Sequence, residues 1–169
     1  MNRILARWNT LNAEAAAREI LSCCGSRAWA AAVAAQRPIA DEKQLIDASN
    51  SAWSGLPEAD WQQAFDSHPR IGQRHAASAT APSLQWSSQE QSTAALDDEA
   101  KRALVEANER YEQRFGRIFI VCASDKTSHE ILGILESRMH NDAATELHEA
   151  AEQQRQITQL RLRRWLESN

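Results

Sequence analysis

The sequence predicts an all-α protein, a single-domain bundle of about seven to eight helices with one short extended connector. Five glycines and four prolines are few for 169 residues, while alanine and other strong helix formers are abundant. Hydrophobic residues make up 43% and charged residues 25% of the chain, the range of globular and not of disordered proteins. This length suits one domain over residues 1–169 with a sizeable core.

The charge and the cysteine content exclude several classes of protein. The net charge is −4 and the isoelectric point about 5.7, whereas binding to nucleic acid or to an anionic membrane requires a basic surface. No stretch approaches the roughly 18 apolar residues of a membrane span, and residues 1–8 lack the apolar segment of a secretory signal. Three cysteines, with Cys23 and Cys24 adjacent, form neither a disulfide framework nor a CxxC motif. We therefore expect a reduced, cytoplasmic protein that binds neither nucleic acid nor membrane.

The first half of the chain predicts four helices, because capping residues precede and helix-breaking residues follow the apolar segments. Ser26 and Asp41 are suitable N-caps, and Gly25 ends the first helix. Pro57 fits the first turn of the fourth helix. The four predicted helices run from Thr10 to about Cys24, from Arg27 to about Gln36, from about Glu42 to Ser54, and from about Glu58 to Asp66.

The character of the chain changes after the fourth helix. The segment from Ser67 to Gly72 breaks the helix, because Pro69 disfavours helical geometry at His68. Residues 73–86 are small and polar and predict a loop of more than a dozen residues. A loop of that length inside a compact domain is usually functional or disordered, so it is the first indication of a functional site.

The second half of the chain predicts four further helices and the connector. Residues 118–123 form the only run that looks extended, and it is too isolated to build a sheet. The helices are bounded by the same kinds of caps and breakers as in the first half. They run from Ser87 to about Ala95, from the cap Asp97 to Phe115 and Gly116, from Thr127 or Ser128 to about His140, and from Asn141-Asp142 to about Glu167.

His68 and Glu90 are the candidate catalytic residues. Imidazole titrates near neutral pH, so His68 can donate or accept a proton, although a surface-loop histidine is the simpler interpretation. Ser87-x-x-Glu90 matches a capping box, in which the two side chains satisfy each other's backbone N–H at a helix start. If the long loop folds over this helix start, Glu90 meets His68 as a carboxylate–imidazole pair suited to proton transfer. Gln91 can then offer its amide to a polar heterocycle.

Arg161 is the candidate anion-binding residue. Ile157, Arg161 and Trp165 are spaced four residues apart on the last predicted helix and therefore share one face. An arginine on a packed face must be paired or must bind an anionic ligand, because an unpaired buried charge is costly. A structural ion pair and an anionic ligand both remain open for Arg161, whereas Arg70 is expected to anchor its loop locally.

The extended connector is a candidate for binding through its backbone. Residues outside a sheet, such as Phe119, Ile120 and Val121, have N–H and C=O groups that need partners. A planar, urea-like ligand can supply both kinds of partner. Asn108 and Tyr111 share a helix face and are expected to form a buried polar pair that supports the connector.

No metal site is predicted. His140 and His148 could share a helix face only on a continuous helix, and Asn141-Asp142 predicts a break between them. Cys122 has no evident base nearby in sequence and is expected to be a small buried hydrophobe.

Motifs carried by these segments resemble one protein family over nearly the whole chain. Each motif is weak alone, but their order and spacing together are specific. The matching segments are Cys24-Gly25-Ser26-Arg27-Ala28-Trp29, Arg37-Pro38, His68-Pro69-Arg70-Ile71-Gly72, Ser87-Ser88-Gln89-Glu90-Gln91-Ser92, Asn108-x-x-Tyr111-x-x-Arg114-Phe115-Gly116-x-x-Phe119-x-x-Cys122-Ala123, and Leu160-Arg161-Leu162. The chain thus resembles OHCU decarboxylase, the 2-oxo-4-hydroxy-4-carboxy-5-ureidoimidazoline decarboxylase of urate degradation.

This resemblance implies an all-α enzyme of purine catabolism that needs no metal or organic cofactor. Such an enzyme converts OHCU to (S)-allantoin by stereospecific decarboxylation, and members of the family are often homodimers. The resemblance implies that His68 and Glu90 are catalytic, and it leaves open which of them delivers the final proton. The substrate-binding residues that it implies are Pro69, Ser87, Gln91, Phe119, Ile120, Val121 and Arg161.

Two other classes of function compete with this one. A protein of the same fold can be a catalytically inactive helical interaction module, which would be expected to have lost His68, Glu90 or Arg161; all three are present. Another cofactor-free enzyme acting on a cyclic ureide, such as a hydrolase or a racemase, would also suit a His–Glu pair. Arg161 favours a carboxylate-bearing substrate over these, and release of CO2 distinguishes them.

Overall fold

The computed structural model describes residues 2–71, 80–90 and 98–168. These residues form nine α-helices and no strand, which confirms the all-α prediction with slightly more helices than expected. The helices are α1 (Arg3–Asn9), α2 (Ala13–Cys24), α3 (Arg27–Ala34), α4 (Glu42–Ser54), α5 (Glu58–Asp66), α6 (Ala81–Glu90), α7 (Asp98–Phe115), α8 (Ser128–Arg138) and α9 (Ala143–Glu167).

The chain divides into two compact units. The first comprises Met1–Ala64 and Arg155–Asn169, and the second comprises the intervening Phe65–Gln154. In the first unit, the rings of Trp8 and Trp165 meet edge to face with their centroids 5.7 Å apart. Edge-to-face aromatic packing is a favoured arrangement, so this contact joins the first and the last helix of that unit.

Local capping explains most helix boundaries in the first unit. The side chains of Ser26 and Asp41 accept hydrogen bonds from Trp29 N and Gln44 N, as predicted for N-caps. Gly25 ends α2 in the left-handed conformation, with φ 93°, which glycine adopts without steric cost.

The start of the chain departs from the prediction. One helix from Thr10 to Cys24 was expected, but Thr10 is the C-cap of α1 and Asn12 is the N-cap of α2. The Asn12 side chain accepts a hydrogen bond from Ala15 N, and Asn2 caps α1 in the same way through Ile4 N. Two asparagine caps therefore delimit two helices where only one was predicted.

The position of α6 corrects a larger part of the prediction. Residues 73–86 were expected to be a loop, yet α6 already begins at Ala81. Thr80 caps it, because its side-chain oxygen accepts from Ser83 N at 3.2 Å and its carbonyl accepts from Leu84 N at 3.0 Å. Pro82 lies in the first turn, where a helix needs no N–H donor. The remainder of the predicted loop from residue 73 to 79, the helix end at Ala95 and the cap Asp97 lie outside the described residues.

A core of apolar side chains fills the second unit between α7, α8 and the connector. The ring of Phe119 meets that of Tyr111 edge to face at 5.2 Å. The connector contains no strand among its described residues, as predicted, and α8 starts with a capping box between Thr127 and Glu130. The buried members of the core are Ile71, Leu104, Ala107, Tyr111, Phe119, Val121, Ala123, Ile131 and Leu135.

Candidate functional site

His68 lies two residues after the end of α5, in the second unit, and is only 9% exposed. Its backbone N–H donates to Phe65 O at 3.0 Å, which closes the last turn before Pro69 redirects the chain. Its Nε2 lies 2.7 Å from Oε1 of Gln154. The contact fixes the orientation of the imidazole ring, and the tautomer of His68 sets the direction of this hydrogen bond. The interpretation of His68 as a surface-loop histidine is therefore wrong.

Gln154 was not predicted as a site residue from the sequence, although it lies on the same helix face as Arg161. It belongs to α9 and is fully buried. A polar amide on a packed helix face needs a buried hydrogen-bonding partner, and this requirement was the signal that could have identified it. The structure thus adds Gln154 to the candidate site as the residue that orients His68.

The segment after His68 is anchored by an ion pair. Pro69 is buried, while the exposed Arg70 forms a two-pronged ion pair with Glu112 of α7, in which Nη2 and Oε2 are 2.8 Å apart. The hydrogen bonds and charge of Glu112 raise the pKa of Arg70 above its usual value. Arg70 is therefore a local anchor, as predicted, and it holds the chain that carries His68.

Ser87 and Glu90 occupy one face of α6. They are three residues apart and only 2% and 6% exposed, and Ser83, one turn earlier, is buried beside them. Their place in the last four residues of α6 shows that Ser87-x-x-Glu90 is not a capping box and that Glu90 is not at a helix start. The predicted pairing of Glu90 with His68 remains a prediction, and Gln91 lies outside the described residues.

The connector presents buried backbone groups. Phe119, Ile120 and Val121 are 2%, 2% and 5% exposed. The Ile120 carbonyl accepts from Nη1 of Arg138 at 2.7 Å, and Cys122 N donates to Oε1 of Gln153 at 2.9 Å. The N–H groups of residues 119–121 make no hydrogen bond to any other described residue. Buried donors without a partner are uncommon in proteins, and they suit a ligand with carbonyl oxygens.

A buried ion pair between Arg138 and Glu146 supports the connector. Glu146 of α9 is fully buried and accepts from Nε and Nη2 of Arg138 at 2.9 and 2.5 Å, and from Asn141 Nδ2 at 2.9 Å. The hydroxyl of Tyr111 donates to the same carboxylate. Burial, and then the hydrogen bond to Glu146, raise the pKa of Tyr111, so its phenol stays protonated.

This arrangement corrects the expected Asn108–Tyr111 pair. Tyr111 supports the connector through Glu146 and Arg138, while Nδ2 of the buried Asn108 has no hydrogen-bond partner among the described residues. Arg138, Asn141 and Glu146 were not predicted from the sequence, because charged and amide side chains near a helix break are usually exposed to solvent.

Arg161 lies in the first unit and is fully buried. The helix face that carries Arg161 is buried as predicted, with Ile157 4% and Trp165 6% exposed. Its Nη1 is 3.5 Å from the carbonyl oxygen of Ser22. The guanidinium also affects the neighbouring thiol of Cys23. Burial raises the pKa of this thiol, and the positive charge of Arg161 offsets part of that increase.

Cys23 and Cys24 are expected to be unreactive in the folded protein. Both are fully buried, and burial raises the pKa of both thiols, that of Cys24 to about 12, so little thiolate exists at pH 8. Titration with Ellman's reagent at pH 8 should detect only the half-buried Cys122 rapidly, and all three free thiols after denaturation. Rapid reaction of a second thiol without unfolding would contradict this expectation.

The described part of the chain contains no cluster of three or more His, Cys, Asp or Glu side chains able to hold a metal ion. His140 and His148 fall on either side of the break between α8 and α9. No helix within the described ranges is long and apolar enough to cross a bilayer.

Comparison with known sequences identifies the family. The model of the OHCU decarboxylase family matches residues 9–163. The uric acid degradation bifunctional protein TTL of Arabidopsis thaliana is 35% identical over 142 residues, which are 83% of this chain and 44% of that protein. This chain therefore spans less than half of the Arabidopsis protein. The 2-oxo-4-hydroxy-4-carboxy-5-ureidoimidazoline decarboxylase of Amia calva is 31% identical over 134 residues, 79% of this chain and 77% of that protein.

Solved structures show the same fold. A crystal structure of OHCU decarboxylase in the presence of (S)-allantoin superimposes with a TM-score of 0.75 and 33% identity, covering 89% of this chain and 98% of that one. A crystal structure of (S)-allantoin synthase superimposes with a TM-score of 0.71 at 17% identity, over 95% of this chain and 53% of that one, a likeness of fold. The family match over residues 9–163, together with these relatives, shows that the chain belongs to the OHCU decarboxylase family.

Proposed function

We propose that this protein is a cofactor-independent carbon–carbon lyase that decarboxylates OHCU to (S)-allantoin in urate degradation. The observation that carries the proposal is the buried His68, held at Nε2 by Gln154 in the motif that resembles the family's catalytic segment. A titratable group buried and oriented in this way is typical of a residue that transfers protons.

The reaction itself needs little beyond positioning and one proton. OHCU bears a carboxylate on a carbon next to a C=N centre. When the bond to that carboxylate breaks, CO2 leaves and the electron pair is delocalised into the conjugated ring, so no cofactor is required as an electron sink. The resulting enol-like anion takes up one proton overall. The former C=N carbon, which bears the ureido group, gains a hydrogen on one face and becomes the stereocentre of the product; the ring nitrogen gains a proton, and the hydroxyl loses one as it becomes the carbonyl.

We assign delivery of the proton at the stereocentre to the pair of His68 and Glu90. Both are buried and belong to the same compact unit, and water exclusion around them would favour delivery of one proton to one face. Arg161, fully buried and permanently charged, would bind an anionic oxygen of the substrate through charge-assisted hydrogen bonds.

The ring and the ureido group would be held by neutral groups. The N–H groups of Phe119, Ile120 and Val121, which make no hydrogen bond to another described residue, supply donors, and the hydroxyl of Ser87 supplies a donor and an acceptor. Pro69 and Gln91 complete the proposed binding residues, Pro69 by apolar contact and Gln91 through its amide. Such contacts fix a planar substrate so that its carboxylate and reacting carbon have one orientation.

A coupled assay tests this function. OHCU is generated freshly from urate with urate oxidase and hydroxyisourate hydrolase, this protein is added, and circular dichroism follows the product together with CO2 release. We expect rapid accumulation of (S)-allantoin in excess over the racemate of the spontaneous reaction. No acceleration by folded protein would indicate the inactive interaction module, and consumption of a ureide without CO2 would indicate a hydrolase or racemase.

The cellular location, the oligomeric state and the domain organisation are further proposals. All three cysteines are free thiols, which suits a cytoplasmic protein. We also propose one domain over residues 1–169 and a homodimer. Size-exclusion chromatography with light scattering would measure a dimer at about twice the 18.9 kDa of the chain.

A further inference from the structure

The buried ion pair between Arg138 and Glu146 has no evident role in stability alone. The two side chains are 6% and 0% exposed. Removing two charges from water costs about as much as their attraction returns, and apolar residues of similar volume often serve stability equally well. Stability alone therefore does not explain this buried pair, and the other contacts of Arg138 indicate a second role.

All three guanidinium nitrogens of Arg138 donate hydrogen bonds, and two groups accept them. Nε and Nη2 donate to Glu146, while Nη1 donates to the carbonyl oxygen of Ile120 at 2.7 Å. The guanidinium carbon also lies 4.6 Å from the centre of the Phe119 ring. The planar guanidinium is thus fixed on one side by Glu146 and on the other holds two successive residues of the connector.

Holding the Ile120 carbonyl also fixes the next N–H. In a planar trans peptide the C=O of one residue and the N–H of the following residue point in opposite directions. Arg138 binds the carbonyl of Ile120, so the N–H of Val121 must point away from the ion pair. The next peptide is fixed independently, because Cys122 N donates to Gln153 Oε1 at 2.9 Å. The Val121 N–H itself makes no hydrogen bond to another described residue.

We propose that Arg138 and Glu146 are positioning residues, which hold the Ile120 carbonyl so that the N–H of Val121 is presented to a carbonyl oxygen of the substrate. The inference rests on the proposed function, since the substrate is the ureide assigned above. Tyr111 and Asn141 also donate hydrogen bonds to the Glu146 carboxylate. These bonds hold the carboxylate in the position from which it pairs with Arg138. The device orients an N–H donor without itself touching the substrate.

The test is a double variant, Arg138→Met with Glu146→Leu, assayed with OHCU. Replacing both partners removes the hold on Ile120 and leaves no buried charge unpaired, so we expect the far-ultraviolet circular dichroism to be retained. We expect KM to rise about tenfold while kcat changes less than twofold, as for loss of one ground-state hydrogen bond. A folded double variant with the KM of the wild type would overturn the proposal.

Arg114→Met is the matched control. Arg114 also donates to a backbone carbonyl, that of Asn141 at 3.1 Å, and lies 5.2 Å from an aromatic ring centre, that of Phe115, but it makes no hydrogen bond to the connector residues 119–121. Its KM should equal that of the wild type. A rise equal to that of the double variant would show that loss of any such arginine loosens the protein, and would also overturn the proposal.

A measurement on the wild-type protein keeps the inference testable if the double variant does not fold. In the ¹⁵N-labelled protein, the amide signal of Val121 should shift on addition of (S)-allantoin, because a new acceptor binds its proton. No shift of Val121 while neighbouring signals move would refute the inference. If the wild type neither turns over OHCU nor binds (S)-allantoin, it is the proposed function that fails.

Discussion

Replacing His68 with alanine is expected to lower kcat by about 10²- to 10⁴-fold, the usual contribution of a positioned proton-transfer group. The imidazole is buried and its Nε2 is held by Gln154, so the variant loses an oriented proton-transfer group that alanine cannot supply. The coupled circular dichroism assay measures the loss, together with the enantiomeric excess of the allantoin formed. The excess should fall towards zero as the spontaneous reaction takes over.

Two controls separate chemistry from folding in this experiment. Loss of the ring removes one hydrogen-bond partner of the buried Gln154 amide, which costs up to about 3 kcal/mol of stability, so a melting curve must show that the variant is folded. His148→Gln is the matched variant, because His148 is exposed and its Nδ1 lies 2.8 Å from the Ala144 carbonyl oxygen of its own helix. Full activity in a folded His68→Ala variant would leave the function standing and refute the proposed mechanism.

Replacing Arg161 with methionine is expected to lower kcat/KM by roughly 10- to 100-fold, mainly through KM. A hydrogen bond to a charged group contributes about 1.5–3 kcal/mol, and methionine keeps much of the volume of the side chain while removing its charge. Arg161→Lys should recover only part of this loss, since an ammonium group cannot make two parallel hydrogen bonds to a carboxylate. Steady-state kinetics with freshly generated OHCU measure both variants.

The control for Arg161 lies two residues further along the same helix. Arg163 is exposed and pairs with Glu42 at 2.9 Å, a surface ion pair of little energetic consequence. Arg163→Met should therefore retain the kinetics of the wild type. Unchanged KM in a folded Arg161→Met variant would assign Arg161 to the structure of α9 alone, the ion-pair interpretation that the sequence left open.

Helix boundaries could be predicted where a single residue decides them. Ser26, Asp41 and Gly25 act through hydrogen bonds or backbone conformation within one turn, and each was placed correctly. The boundaries were wrong where two local signals compete. Thr80 and Pro82 start α6, but Ser87-x-x-Glu90 matches a capping box more conspicuously, so the predicted start was six residues too late.

Residues of the candidate site could be predicted only where they belong to a short sequence motif. His68 and Glu90 belong to short motifs, and their burial agrees with a role in a site. Gln154, Arg138 and Glu146 belong to none, because their partners lie 86, 18 and 8 residues away in the chain. Contacts over such distances depend on how helices pack, which spacing along one helix does not specify.

The division of the chain has a consequence for its synthesis. The first unit needs both Met1–Ala64 and Arg155–Asn169, whereas the second is one uninterrupted segment, Phe65–Gln154. The whole of Phe65–Gln154, including residues 143–154 of α9, is synthesised before Arg155–Asn169, so Trp8 cannot meet Trp165 until the end of α9 has been made. The N-terminal helices therefore remain without their final partner through most of translation, a window in which chaperones and proteases compete with folding. The first unit can therefore close only after Arg155–Asn169 has been synthesised.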